Sequence, residues 1–256
     1  MIELRTPERT RRTAAIQHGA DFTEEALPFT VRVARTAADL EKVVRIRQSA
    51  YGRHLPELAE TLGAPEEMDL RPGVIVLLAE SKLDGSPIGT IRIQTNAHGP
   101  LAVEQSVELP DGMANSNLAE MTRLAISEGR VGRLVKLVLL KACYEFWKRE
   151  GIDYAIGAGR APLDRQYEQL LFTNVFEDGR YVPLRHAGNV PHRVLAFHVD
   201  SGEARWAAAG HPMFKFFCRT WHPDIDLGPR LGKTLRPRLH LAGLRPGRIA
   251  RVQPTT

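Results

Sequence analysis

The stretch "EMTRLAISEGRVGRLVK", residues 120–136, decides how this chain is read. Its first seven residues read as an apolar strand carrying one carboxylate, Glu120, and one guanidinium, Arg123. The pattern breaks at Gly129 and Gly132, among Arg130, Arg133 and Lys136, and then turns helical. A helix's first turn has unpaired backbone N–H groups at the positive end of its dipole. A glycine there lets a phosphate approach the backbone, and neighbouring cations add charge-assisted contacts. Gly129, Arg130, Val131, Gly132, Arg133 and Lys136 are therefore candidates for holding an anionic, phosphate-like group. The other reading of the turn is steric, because many such junctions use glycine where nothing larger fits.

Working outward, the helix is expected over about 132–150, with Leu134, Leu137, Val138, Cys143, Phe146 and Trp147 as its apolar stripe. Gly151 ends it and "IDYAIGAG" follows as a buried strand. Pro162 suits the start of another helix, over "PLDRQYEQLLFTNVF", and "RYVPL" with "HRVLAFHVD" reads as a closing strand pair. Upstream, "PFTVRVART" reads as a strand and 37–50 as a helix capped by Thr36. "GVIVLLAES" and "PIGTIRIQT" read as a hairpin through Asp84-Gly85. The order predicts an α/β layer structure: a twisted mixed sheet of about seven strands covered by helices. Residues 1–28 form a polar arm, 29–200 the main domain, 201–228 an amphipathic helical extension and 229–256 a basic tail.

The chain of 256 residues is 43% hydrophobic and 25% charged, an ordinary globular balance. Seven of its 35 Lys and Arg lie in residues 230–256 with no acid. Without them the remainder, with its 30 Asp and Glu, is at net −2. The basic character is thus local. The tail suits an acidic protein, an anionic membrane surface or simple solvation, and its few aromatics argue against nucleic acid. Two cysteines, Cys143 and Cys218, have no metal-binding spacing, so neither a disulfide framework nor a metal site is expected. With no apolar leader or spanning run, the expectation is a soluble, cytoplasmic protein. Met213, Phe214, Phe216, Phe217 and Trp221 make an apolar stripe, read as packing, with the lining of an acyl-chain tunnel as the alternative.

This element order resembles the Gcn5-related N-acetyltransferase (GNAT) fold, in which the turn before the central helix holds the phosphate end of a pantetheine donor. Within that fold a sparse set of charged positions resembles the long-chain N-acyl amino acid synthases and acyl-homoserine-lactone synthases. Arg47 and Tyr51 match an Arg-x-x-x-aromatic pair on the first helix, and Glu66 and Asp69 match an acidic pair in the following loop. Arg92 matches an arginine on the third strand, and Glu120 and Arg123 match Glu-x-x-Arg on the fourth. The resemblance covers roughly residues 30–200. No tryptophan lies between Tyr51 and Asp69, where the lactone synthases have one, which favours the N-acyl amino acid branch. The resemblance implies an N-acyltransferase with no tightly bound cofactor. Its donor would be an acyl-phosphopantetheine, on acyl carrier protein or less readily as acyl-CoA, and its acceptor an amino acid. The rival readings are an acetyl-CoA-dependent N-acetyltransferase, a lactone synthase, or a non-catalytic module that binds through the tail.

Chemically, an ammonium must lose a proton before its nitrogen can attack a thioester, and a carboxylate can take it. Glu120 is the candidate base. Arg47 or Arg92 could grip an acceptor's carboxylate with two parallel hydrogen bonds, while Glu66 and Asp69 either hold the acceptor's ammonium or orient those arginines. In a regular strand residues 120 and 123 face opposite ways. A bulge near Thr122 would re-aim one of them, or else the two serve separate roles, structural ion pairs included.

Overall fold

The computed structural model describes residues 22–231. Most of the polar arm and most of the basic tail, with the membrane contact expected of it, lie outside the described residues.

The elements in chain order are β1 (Thr23–Glu24), β2 (Phe29–Val33), α1 (Ala37–Gly52), α2 (Pro56–Thr61), β3 (Val74–Ser81), β4 (Pro87–Thr95) and β5 (Leu118–Ile126). Next come α3 (Gly129–Glu150), β6 (Tyr154–Gly159), α4 (Asp164–Gln169), β7 (Thr173–Asn174), β8 (Val182–Leu184) and β9 (Val190–His198). The last are α5 (Val199–Ala208), α6 (Phe214–Cys218), β10 (Thr220–Trp221) and β11 (Ile225–Asp226).

The main sheet runs β11-β2-β3-β4-β5-β6-β9-β7, with β8 paired to β9. Its nine strands exceed the expected seven because β7 and β11 are two-residue additions that no periodicity marks. Strands β2 to β5 are successive antiparallel neighbours, whereas β5 and β6 are parallel and so need a crossover, which α3 provides. That helix lays Val135, Val138, Leu139, Ala142, Cys143 and Phe146 on one sheet face, against Ile91, Ile93, Ala119 and Met121. Helix α1 covers the other face near Val76 and Leu78 through Val43. Its start is a capping box: Thr36 Oγ1 accepts from the Asp39 N–H at 3.1 Å, and Asp39 accepts from the Thr36 N–H at 3.0 Å.

One expectation needs correction, and the structure adds detail at two further places. The helix expected over 162–176 is only the six residues of α4, because Leu171 turns left-handed (φ 65°) and the chain swings Phe172 into the core. Helix α5 has too few apolar residues to show a helical stripe, yet its Trp206 stacks on Phe197 at 5.0 Å and donates to Leu170 O. The C-terminal extension packs onto the main domain. Phe217 and Cys218 join the main core, β11 pairs with β2, and β10 pairs with β1 of the expected arm. Met213, Phe214 and Phe216 pack against the same core, which is the packing reading of that stripe.

At the β5–α3 junction the chain comes so close to itself that a Cβ at Gly132 would lie 1.8 Å from Ser127 O. A backbone atom cannot yield as a side-chain tip can. Gly132→Ala should destabilise the protein by about 1–3 kcal/mol, the usual cost of overpacking. Gly112→Ala, which meets nothing within 4 Å, should leave the urea midpoint almost unchanged.

Candidate active site

Strand β5 positions the site because it is not regular. Arg92 of β4 pairs with Thr122, but Thr90 pairs with Ala125, so two residues of β5, Arg123 and Leu124, stand opposite one of β4. Arg123 takes φ 55°. This is a β-bulge, and it turns Arg123 to the side of the sheet where Arg92 lies.

On that side five charged groups form a buried box. Arg123 grips Glu66 through Nε and Nη2 at 2.7 and 2.6 Å. Arg47 grips Asp69 through Nη1 and Nη2 at 2.6 and 2.9 Å. Arg92 Nη1 bridges the two acids at 3.1 and 3.3 Å, and its Nε donates to Thr122 Oγ1. Burial alone would raise both carboxyls, but the arginines outweigh it and hold Glu66 and Asp69 below their ordinary values. Arg47 and Arg92 are only 1% and 2% exposed. Asp69 takes both ends of the Arg47 fork, whereas Arg92 gives only Nη1 to the two acids and Nε to a hydroxyl. Glu66 and Asp69 form ion pairs with these arginines.

Beyond Met121, which pairs with Gly157, β5 and β6 part. A cleft of about 660 Å³ opens between them, lined by Met121–Gly129 on one wall and Ala158–Arg160 on the other. Tyr51 and Arg123 reach it from the charged box. Burial raises the Tyr51 hydroxyl above its ordinary value, although the three arginines pull the other way, so the phenol stays protonated. Leu140, Leu163, Tyr167 and Leu170 give the cleft an apolar flank.

Of the glycine-turn residues, Gly129, Arg133 and Lys136 line the cleft. Gly129 has φ 79°, a conformation natural to glycine. Lys136 Nζ donates to Gln166 Oε1 at 2.8 Å, while Arg133 has no ion pair among the described residues. Arg130 and Val131 are exposed and do not line the cleft, and Gly132 serves the close approach described above. Arg160, unremarked in the sequence, lines the cleft with no ion pair among the described residues. Only its position at the end of a strand beside the glycine turn could have signalled it.

Glu120 faces away from the α3 side of the sheet and is fully buried. Its Oε2 accepts from the Val103 N–H at 2.9 Å, and burial, opposed by that bond and by Arg92, pushes its pKa up to about 7. The cysteines are core groups; burial holds the Cys143 thiol well above its ordinary value. Among the described residues no cluster of three or more His, Cys, Asp or Glu could hold a metal, and no helix is long and apolar enough to cross a membrane.

No protein-family model matches the sequence, and no curated protein does. Among solved structures, the chain is similar to FeeM, an N-acyl amino acid synthase from uncultured soil microbes. The TM-score is 0.54 at 17% identity, over 71% of this chain and 96% of that one. It also matches BjaI, a CoA-dependent acyl-homoserine lactone synthase (TM-score 0.49, 15% identity, 79% and 95% coverage), and the AHL synthase LasI (0.47, 12%, 67% and 90%). At such identities the likeness is one of fold. The chain has a Gcn5-related N-acetyltransferase fold of the kind seen in FeeM.

The buried acid makes a measurable demand on stability. Between the ordinary value of 4.5 and about 7, folded Glu120 keeps a proton that the unfolded chain has released. Stability therefore falls as pH rises through that window, by about 3 kcal/mol in all. Glu120→Gln removes this term while keeping an acceptor for Val103. Chemical unfolding at pH 4.5 and pH 8 should show the variant gaining on the wild type by about that amount between the two.

Proposed function

We propose that the protein is an N-acyltransferase that moves a fatty acyl group from the phosphopantetheine of acyl carrier protein to the α-amine of an amino acid. The observation that carries this reading is the cleft itself: a splayed strand pair, cations at its glycine-turn end with no ion pair among the described residues, and a buried carboxylate beside it. From Thr122 onward β5 has no β6 partner. An extended pantetheine arm, with its two amides, can take up backbone groups that the ladder leaves free on that edge. Gly129 and Arg133, with Lys136 beside them, suit the donor's phosphate. The Leu140–Leu163–Tyr167–Leu170 flank suits an acyl chain, each buried methylene contributing about 0.8 kcal/mol. Arg160 suits the acceptor's carboxylate, a role that burial denies to Arg47 and Arg92.

In the reaction the acceptor's ammonium gives up a proton, ultimately to Glu120. The freed nitrogen attacks the thioester carbonyl, the C–S bond breaks, and the leaving thiolate takes a proton as the amide forms. No covalent enzyme intermediate is needed. Arg47, Asp69, Arg92 and Glu66 hold Arg123 and the bulge in place, and Arg123 and Tyr51 face the reacting groups. Net charge change is confined to one proton, so a base poised near neutrality suits the step.

Mass spectrometry of lipid extracts from cells expressing the wild type and Glu120→Gln tests this reading. Fatty N-acyl amino acids should accumulate with the wild type and fall at least about 10²-fold with the folded variant. Their masses would give acceptor and chain length. With purified protein, kcat should rise with pH and level off above about 7, as Glu120 loses its proton. Soluble wild type that yields no acylated amino acid from long-chain acyl carrier protein would refute the assignment.

A further inference from the structure

The two faces of the sheet bring different groups to the cleft. Ala155, Leu195 and Phe197 pack on the face that α3 covers, while Ile156, Val194 and Ala196 pack on the other, with Ala158 beside them. Glu120 pairs with Ile156 and so shares that second face. Alternation along β6 and β9 carries it on to Arg160 and His192. Gly159 pairs with Arg193 in antiparallel register, so Arg160 stands across from His192, one step past the last pair. Side chains opposed in this way lie about 4.5–5.5 Å apart at Cβ. Both of these line the cleft.

The His192 ring has a fixed tautomer. Its Nδ1 lies 2.7 Å from Val190 O, and a carbonyl oxygen can only accept, so Nδ1 carries a proton. Burial outweighs that bond and, helped by the charge of Arg160, holds the ring below its ordinary value. At neutral pH the ring therefore carries no second proton. Its Nε2 keeps a lone pair, with no partner among the described residues. A guanidinium and a hydrogen-bond acceptor thus stand side by side at the cleft wall. An α-amino acid presents their complement on a single carbon: a carboxylate and an amine whose hydrogens can be donated.

We propose that Arg160 and His192 form the acceptor's subsite, the guanidinium taking the carboxylate of an α-amino acid and His192 Nε2 accepting from its amine. The proposal rests on the acyl-transfer reading and adds to it the group that reads the amine and the face by which the acceptor enters. The donor lies along Gly129, Arg133 and Lys136 at the start of α3, and the acceptor comes to the gap between β5 and β6 from the face of Glu120. Ala158, two residues before Arg160 on that face, presents only a methyl group and leaves room for the acceptor's body. A simple amine would meet half of this subsite, so amino acids are selected over amines that lack a carboxylate.

The test uses palmitoyl-loaded acyl carrier protein with the common amino acids, each in turn, as free acid and as methyl ester. His192→Asn keeps an N–H for Val190 O but has nothing in the place of Nε2. It should raise the acceptor KM about tenfold or more, for acid and ester alike, at unchanged donor KM. His192→Gln, whose Oε1 can stand where Nε2 does, should recover most of that loss. Arg160→Gln should raise KM for the free acid by a similar factor and leave the ester unaffected, so the two positions read different halves of the acceptor. Three results overturn the subsite and leave the acyltransferase reading standing: wild-type acceptor KM in folded His192→Asn, an equal loss in His192→Asn and His192→Gln, or an Arg160→Gln defect as large with the ester as with the acid. A wild type that acylates none of these acceptors overturns that reading and the subsite with it. Independent of turnover, ring ¹⁵N shifts should report a neutral His192 protonated on Nδ1, with the Nε2 signal moving as the accepted amino acid is added. A ring protonated on Nε2 instead has no lone pair to offer there and overturns the proposal.

Discussion

The grip of Glu66 on Arg123 is the contact on which the rest of the site depends. A non-glycine residue in the left-handed region costs about 1–2 kcal/mol, and Arg123 sits there at φ 55°. Two charge-assisted hydrogen bonds of 2.7 and 2.6 Å to one carboxylate hold it. The consequence runs along the strand. Before the bulge, Ala119 and Met121 face α3; after it, Leu124 and Ile126 do, so the alternation changes phase. The strand can then leave β6 after Met121 and still bury its apolar residues under α3. The cleft is what that departure leaves open.

Two glutamates a few residues from the same arginines have opposite fates, and the comparison shows what the box does. Glu66 accepts from Arg123 and Arg92 and stays below its ordinary value despite burial. Glu120, three residues before Arg123 on β5, is held by backbone N–H groups and no guanidinium, and burial wins. Three arginines facing two carboxylates leave one net positive charge, yet that charge is largely spent inside the box. A carboxyl just outside it can be raised while the box stays ionised. The fold thereby separates a rigid charged support from a titratable group at neutral pH.

Much of this was legible in residues 120–136. The spacing of Glu120 and Arg123 demanded either opposite faces or a bulge, and the bulge is there. Arg47, Glu66, Asp69, Arg92 and Arg123 do come together. Their roles were not legible, because a guanidinium facing a substrate carboxylate and one facing Asp69 look alike in sequence. Burial decides between them, and burial is a property of the packed molecule. Arg160 was missed for a related reason: it sits at a strand end, where no periodicity marks which way a side chain points. Helix α5 falls largely inside the expected helical extension, but its contact with the core rests on Trp206 and Gly202 rather than on a stripe.

A buried base is an asset only for a certain kind of chemistry. An ordinary glutamate, near 4.5, takes a proton from an ammonium with a large uphill cost. Raising the carboxyl to about 7 removes about 3 kcal/mol of that cost whatever the amine's own affinity for the proton. The same burial hides the carboxyl from the amine, so depth and access conflict.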